Sequence, residues 1–361
     1  MMAKFNEQKP WWKAYINKQA VLKNLKKTVK YNHITFSKNC SQIENYLKKT
    51  LGVRHVILTN SGTSALYMAT MVAIIKQKGK VYCPIMTWSG TINGALFANK
   101  EVLFIDNIKN SISANYFSFL NKIKQRDILF ITHLNGKSSY DRKDFKMIKR
   151  KNFFVIEDAA QSFLAKDYRN KYLGTQFDIG CFSLGYTKMC NMIYGGFCVT
   201  NNAKLAKLLR IVRNNGVDNQ AQIANKIGGN FKPNDVNACI GLDSLKNSFK
   251  NKKKLIEIYN LYKNNLKNNK IKLINYNNLN NEFPIYIEAI VNNRNSFFKF
   301  LKRKSIGYSY STRSLSRSPH LKLLGRFKNA EELDNKLVRL PSGPGYNKKE
   351  LLDIIKKLNN Y

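Results

Sequence analysis

The sequence predicts an α/β fold built on a mostly parallel sheet with helices on both faces, followed by a smaller α+β unit. Three observations carry that. Apolar, β-leaning runs at 101–106, 127–132 and 153–156 are nearly continuous rather than alternating, which is how strands buried on both faces read. Helical or loop-like segments separate them, as a sheet covered on both sides requires. The third run ends on Glu157 and Asp158. A carboxylate at the end of a buried strand is poorly solvated and needs a cationic partner, so a site is expected there.

Length and composition fit this class. A chain of 361 residues, 43% hydrophobic, can bury a large core. The formal charge of +40 is unusual. Charge alone points to a nucleic-acid-binding protein. Lys is scattered among Asn and Ile, however, with no arginine-rich arm, helix-turn-helix cue or zinc-finger spacing. Most of the charge is expected on solvated faces, with a subset serving a phosphate-bearing substrate and no specific nucleic-acid binding. The six cysteines form no CxxC pair and the four histidines are dispersed, so reduced buried thiols and no metal are expected. The N-terminus lacks a signal-peptide core and no run reaches membrane-spanning length, which predicts a cytoplasmic protein without membrane insertion.

In chain order, a basic, aromatic segment with adjacent Trp11 and Trp12 occupies 1–34. An amphipathic helix follows at 41–51, with Ser41 as N-cap, Glu44 three residues on and Gly52 as the stop. A strand at 55–59 leads through the small-residue turn 60–64 into a helix at 65–76. Strand, turn and helix start make an anion site, because free N–H groups and the helix dipole favour phosphate. Taken alone, that turn is equally an ordinary βα connection. After a short strand at 80–84 come Thr87 and Trp88, then a helical stretch. A second apolar run, 179–182, ends on Ser183; Lys188 follows on a turn, and Gly195-Gly196 opens a strand at 197–200. Helices are expected at 203–214 and, in one long piece, at 235–262; a strand at 283–287 and helices at 294–303 and 351–358 complete the chain.

Asp158, Ser183 and Lys188 could assemble a pyridoxal phosphate site, in which an amine bonds the cofactor, a carboxylate pairs with its ring nitrogen and a hydroxyl binds phosphate. In a chain with 62 Lys and Arg, one Lys alone carries no weight; order and context do. The run 157–161 (EDAAQ), Gly174, Phe182-Ser183, Lys188 and Gly195-Gly196 resembles the DegT/DnrJ/EryC1/StrS sugar aminotransferases. So do Ser61-Gly62-Thr63-Ser64-Ala65-Leu66, Pro84, Thr87-Trp88, His133-Leu134-Asn135-Gly136, Gly229-Asn230-Phe231-Lys232 and Leu340-Pro341, from about residue 35 to the C-terminus.

The resemblance implies the PLP-dependent transferase fold type I, with a seven-stranded, mostly parallel large domain at 35–245. A small C-terminal domain at 246–361 would include a long connecting helix, and the segment 1–34 would contact a partner subunit. It implies that Lys188 carries the cofactor and moves the substrate proton, while Asp158, with a low pKa, keeps the ring nitrogen protonated. Gln161 would bond the phenolic oxygen, Trp88 stack on the ring, and Gly62, Thr63 and Ser183 hold the phosphate. Asn230 would reach the partner's cofactor in a homodimer with shared sites. Lys232, Tyr186, Arg313 and His320 fall where the family contacts its sugar nucleotide. Glutamate would be the amino donor and a nucleotide-diphosphate 4-keto-6-deoxyhexose the acceptor, with a 3-keto sugar as the alternative, for surface polysaccharide or another glycoconjugate. Two departures stand out, Tyr194 where the family often has Glu and the turn Gly185-Tyr186-Thr187-Lys188-Met189-Cys190 where a proline-bearing turn is more common. Gly229 and Lys232 also stand where the family often has an aromatic or Arg, and Lys keeps the charge but loses the bidentate fork.

Overall fold

Seven strands form the main sheet: β1 (His55–Thr59), β2 (Val81–Pro84), β3 (Val102–Ile105), β4 (Ile128–Thr132), β5 (Phe154–Asp158), β6 (Ile179–Ser183) and β7 (Gly196–Thr200). The spatial order is β1-β7-β6-β5-β4-β2-β3. β7 runs antiparallel to both neighbours and the remaining pairs are parallel. This computed structural model describes residues 9–361 apart from 33, 152, 219–222, 322 and 324.

The continuous apolar runs are explained by a core on each face. Along β5, Val155 joins one core while Phe154 and Ile156 join the other; along β1, Val56 and Leu58 oppose Ile57 in the same way. The helices that cover the sheet include α1 (Lys18–Lys30), α2 (Lys38–Leu51), α3 (Gly62–Lys76), α4 (Asn93–Phe97), α5 (Arg142–Lys151), α6 (Ala203–Arg213) and α7 (Asp235–Lys246). α3 buries residues around its circumference, from Ala65 and Leu66 to Val72 and Ala73, so it is an internal helix rather than an amphipathic one.

A second, antiparallel sheet contains β8 (Ile271–Leu273), β9 (Ile287–Val291), β10 (Ser309–Tyr310) and β11 (Leu337–Leu340), in the order β10-β11-β9-β8. With α8 (Ser248–Asn265), α9 (Arg294–Arg303), α10 (Lys328–Asp334) and α11 (Lys348–Leu358) it makes up the C-terminal half. Tyr262, Phe297, Val338 and Ile354 meet in its core.

Three expected elements differ. α2 begins at Lys38, not Ser41, because the carboxylate of Asp235 caps it from α7, accepting from the N–H groups of Ser37 and Cys40 (both 3.0 Å) and Asn39 (2.8 Å). Glu44 therefore serves no capping box; it accepts from Leu58 N–H on β1 (2.8 Å) and pairs with Arg213 (3.1 Å). The predicted helix 235–262 is two helices, broken at Asn247, whose side-chain amide donates back to the Asp243 carbonyl (2.9 Å). The strand expected at 283–287 begins only at Ile287.

Of the N-terminal segment, residues 1–8 and 33 lie outside the described residues. From Lys9 onward the chain crosses the C-terminal half: Lys13 N–H donates to the Ser342 carbonyl (2.9 Å), Ser342 N–H to the Trp11 carbonyl (2.9 Å) and Gly345 N–H to the Lys13 carbonyl (2.8 Å). Trp12, 3% exposed, belongs to the core of its own chain.

Candidate active site

In the parallel part of the sheet the carboxyl ends of the strands share one edge, where α/β proteins bind ligands. There a cleft of about 630 Å³ is lined by Gly62, Thr63, Trp88, Asp158, Gln161, Ser183 and Lys188, with Tyr286, Arg313 and Arg339 contributed by the C-terminal half. Register accounts for part of this convergence, since Thr132 pairs with Asp158 and Asp158 with Cys181 across β4, β5 and β6.

The two acids that end β5 point to opposite faces and do different work. Glu157 is structural. Its carboxylate accepts from the N–H groups of Gly174 (3.0 Å), Gln176 (2.7 Å) and Phe177 (3.1 Å), and lies 3.2 Å from His133 Nε2. It thus fixes the loop that leads into β6. Gly174, at φ +81°, has no room for a side chain there: a Cβ would come within 2.4 Å of the Phe182 ring.

Asp158 faces the cleft. It accepts from Thr91 Oγ1 (2.7 Å) and from Ala160 N–H (3.1 Å), and it enters no ion pair among the described residues. Burial pushes its carboxyl above the ordinary range; the bonds from Thr91 and Ala160, then Lys188 and His133, pull the other way without winning. The expectation of a low pKa is corrected for the protein by itself, because desolvation outweighs these donors. A buried carboxylate with no ion-pair partner among the described residues, in one cleft with a lysine, suits a ligand that brings a cation.

The anion cradle lies at the start of α3. Ser61 caps the helix, its hydroxyl accepting from Ser64 N–H (3.0 Å), while Gly62 and Thr63, in the first turn where N–H groups have no intrahelical acceptor, line the cleft. Helix and sheet approach closely here. A Cβ on Gly62 would lie 2.7 Å from Ser183 Cβ, and one on Gly196 would lie 2.5 Å from Gly62 N. The Ser183 hydroxyl accepts from Gly185 N–H (3.3 Å) and lines the same cleft.

Lys188 sits on the turn after β6. Its Nζ donates to the Tyr286 hydroxyl (3.2 Å). Gln161 bridges the two halves of the chain, accepting from Asn135 N–H (3.2 Å) and donating from Nε2 to Thr312 Oγ1 (3.0 Å). Trp88, 66% exposed, presents its ring to the cleft. Fit is therefore good for pyridoxal phosphate: an amine, an unpaired buried carboxylate, a flat aromatic and an anion cradle share one cleft.

The proposed substrate residues scatter. Arg313 lines the cleft, but its guanidinium is engaged by Asp334 (2.6 and 3.2 Å). Tyr186 is exposed beside it, and its carbonyl accepts from Trp12 Nε1 (3.2 Å). The structure does not bring His320 into this cleft; after the turn at 315–317 it lines a separate cavity with Tyr82, Lys100 and Phe327. Lys232 also lies elsewhere on this chain, donating to Asn214 Oδ1 (3.0 Å), and Asn230 is exposed, its carbonyl accepting from Asn60 (3.3 Å). Sequence reasoning missed Tyr286 and Arg339. Tyr286 stood inside a run read as an ordinary strand, and Arg339 stood next to Leu340-Pro341, a motif that was noted without it.

A family model, the DegT/DnrJ/EryC1/StrS aminotransferase family, matches residues 16–359. Over 251 residues the chain is 29% identical to a UDP-4-amino-4,6-dideoxy-N-acetyl-beta-L-altrosamine transaminase of Campylobacter jejuni, covering 68% of this chain and 66% of that protein. It is 28% identical over 229 residues to a GDP-perosamine synthase of Escherichia coli O157:H7, covering 62% of each. These matches thus span somewhat less than two thirds of either relative. The fold is shared with PseC of Helicobacter pylori, an aminotransferase involved in the biosynthesis of pseudoaminic acid, at TM-score 0.87 and 20% identity over 98% of this chain and 99% of that one. The chain belongs to the DegT/DnrJ/EryC1/StrS aminotransferase family.

Proposed function

We propose that this protein is a pyridoxal-phosphate-dependent aminotransferase that moves an amino group from glutamate to a nucleotide-diphosphate keto-sugar, with a 4-keto-6-deoxyhexose as the preferred acceptor. The observation that carries the reading is the pairing, in one cleft, of Lys188 with a buried Asp158 that lacks a counter-ion. The relatives' names favour carbon 4, since one is a transaminase of a 4-amino-4,6-dideoxy sugar nucleotide.

When bound, the cofactor supplies an electron sink for the carbanion formed at the carbon that gains or loses nitrogen. Asp158 would hold the cationic ring nitrogen, and Thr91 and Ala160 fix the orientation of its carboxylate. The N–H groups of Gly62 and Thr63 and the hydroxyl of Ser183 bind the phosphate. Trp88 covers the ring. The Lys188 amine would hold the cofactor and, when free, would serve to move the proton to and from the reacting carbon. Gln161 bonds the ring's phenolic oxygen while Asn135 and Thr312 hold its amide. In a homodimer, Asn230 of one chain completes the phosphate site of the other, with Lys232 near the sugar nucleotide. The product would enter surface polysaccharide or another glycoconjugate, made in the cytoplasm.

The test is an absorbance spectrum of the purified protein with added pyridoxal phosphate, wild type beside Lys188→Ala. A band near ~410–430 nm that needs Lys188 and bleaches with glutamate is expected. A panel of 4-keto and 3-keto nucleotide sugars then identifies the acceptor. Absence of a lysine-dependent band would sink the proposed chemistry.

A further inference from the structure

The Asn135-Gly136 pair does more than hold the Gln161 amide, and it leads to Tyr286. Asn135, at φ +48°, turns its side chain onto the backbone of the C-terminal half: Oδ1 accepts from Tyr286 N–H (2.8 Å) and Nδ2 donates to the Tyr286 carbonyl (3.0 Å). An amide that satisfies both backbone groups of one residue fixes that residue as a neighbouring strand would. Gly136 allows the approach, because a Cβ there would come within 1.9 Å of the Phe283 carbonyl oxygen. The ring that is fixed in this way, 1% exposed, packs against Trp11 and Trp12 (centroids 5.9 and 5.4 Å apart), and the Arg339 guanidinium lies 4.0 Å from its centroid. Only its hydroxyl is directed to chemistry, accepting from Lys188 Nζ at 3.2 Å.

We propose that Tyr286 is the proton partner of Lys188: its oxygen takes a proton from the lysine amine and returns it during turnover. The assignment rests on the aminotransferase reading of Lys188. In the forward direction an ammonium N–H bond breaks and a phenol O–H bond forms, so a lysine cation and a phenolate become a neutral amine and a neutral phenol. The free amine can then act as a base. The charged surroundings favour this exchange. Burial pushes the Tyr286 phenol up, but Lys188 and Arg339, with the Thr187 hydroxyl, more than offset it, so it lies below its ordinary range. Arg339 is itself held by Glu288 (3.1 Å), which pairs with it behind the tyrosine; Asp158, His133, Tyr194, Tyr310 and Arg313 are the other titratable groups of the cleft.

The experiment uses the full-length, cofactor-loaded protein, with ordinary and α-deuterated glutamate bleaching the lysine-dependent band in single turnovers. Tyr286→Phe should keep the band and its melting temperature but bleach about 100-fold more slowly. Its deuterium isotope effect should exceed that of wild type, its KM should change little, and the basic limb of its pH–rate profile should move. An unchanged rate and isotope effect, or a loss in KM alone, would overturn the assignment while leaving the aminotransferase reading intact. A wild type without a band would instead defeat that reading. A second measurement depends on neither the loaded enzyme nor the fold of Tyr286→Phe. In ultraviolet titration of the unloaded protein, one tyrosine should ionise below the ordinary value of about 10 and move up in Lys188→Ala. Superimposable titrations would overturn the proposal.

Discussion

The sharpest consequence of single residues concerns Asp158, whose burial is costly until a cation arrives. A folded-state pKa raised above the unfolded value contributes stability below the unfolded value, near pH ~4, and that contribution is lost as pH rises through the folded pKa. Asp158→Asn should therefore melt higher than wild type at pH 7 in the unloaded form, by on the order of 2 °C. Its kcat should fall at least ~100-fold once cofactor is added. Calorimetry with and without pyridoxal phosphate, beside steady-state rates, checks both halves; equal melting of the unloaded forms would show that the donors around Asp158 already balance it. Asp144, at the start of α5, follows the same sign. Burial, then the neighbouring Asp141, raises it from 3.8 to about 6, so its contribution to stability disappears between those values as pH rises. Asp144→Asn should stabilise the protein at pH 7 by about 1 kcal/mol, after screening by solvent, and flatten the pH–stability curve across that window. At this scale the sequence was most legible where chemistry is local: Asp158, Ser183 and Lys188 occur in order, on short strand ends and one turn. It was silent on Tyr286, because a phenol placed by a side chain from a distant loop leaves no local pattern.

Among the elements, the contact between α3, β6 and β7 is close and informative. Gly196→Ala puts a Cβ 2.5 Å from the Gly62 nitrogen and from the Ser61 carbonyl, atoms of the anion cradle itself. Overpacking against backbone cannot be relieved by a rotamer change, so a loss of about 1–3 kcal/mol is expected, together with weaker retention of cofactor. Urea unfolding and cofactor dissociation on dilution measure the two effects; a variant as stable as wild type with normal retention would mean that the helix start yields easily. The sheet was legible because strands buried on both faces are apolar throughout, and α3 because its residues are small and apolar. The failures share one cause. Asp235 starts α2 early, Asn247 splits a helix and Asn135 holds 283–286 off the strand pathway; each is a side chain bonding to backbone. Periodicity cannot register such contacts, since they add no hydrophobic signal.

For the whole molecule, the +40 charge and the shared-site proposal make separable predictions. Sedimentation should give a species of twice the 41.7 kDa chain mass, and Asn230→Ala should weaken cofactor retention without splitting it. Binding to duplex DNA, where seen at low salt, should fall steeply by ~0.2 M salt, as expected of counterion release alone. The strap from Lys9 to Gly345 has a further meaning when the chain is considered during its synthesis. Trp11 and Trp12 leave the ribosome well before their partners Tyr286 and Ser342. At ~5–20 residues per second, the two tryptophans wait roughly 14–66 s for somewhere to go. Until then an apolar pair is carried on a basic tether, open to chaperones, and the tyrosine beside Lys188 has no wall behind it. The wall of the cleft is thus completed by an earlier-made segment closing over a later-made one, so that a chain cut short before Tyr286 would carry the lysine but not its finished surroundings.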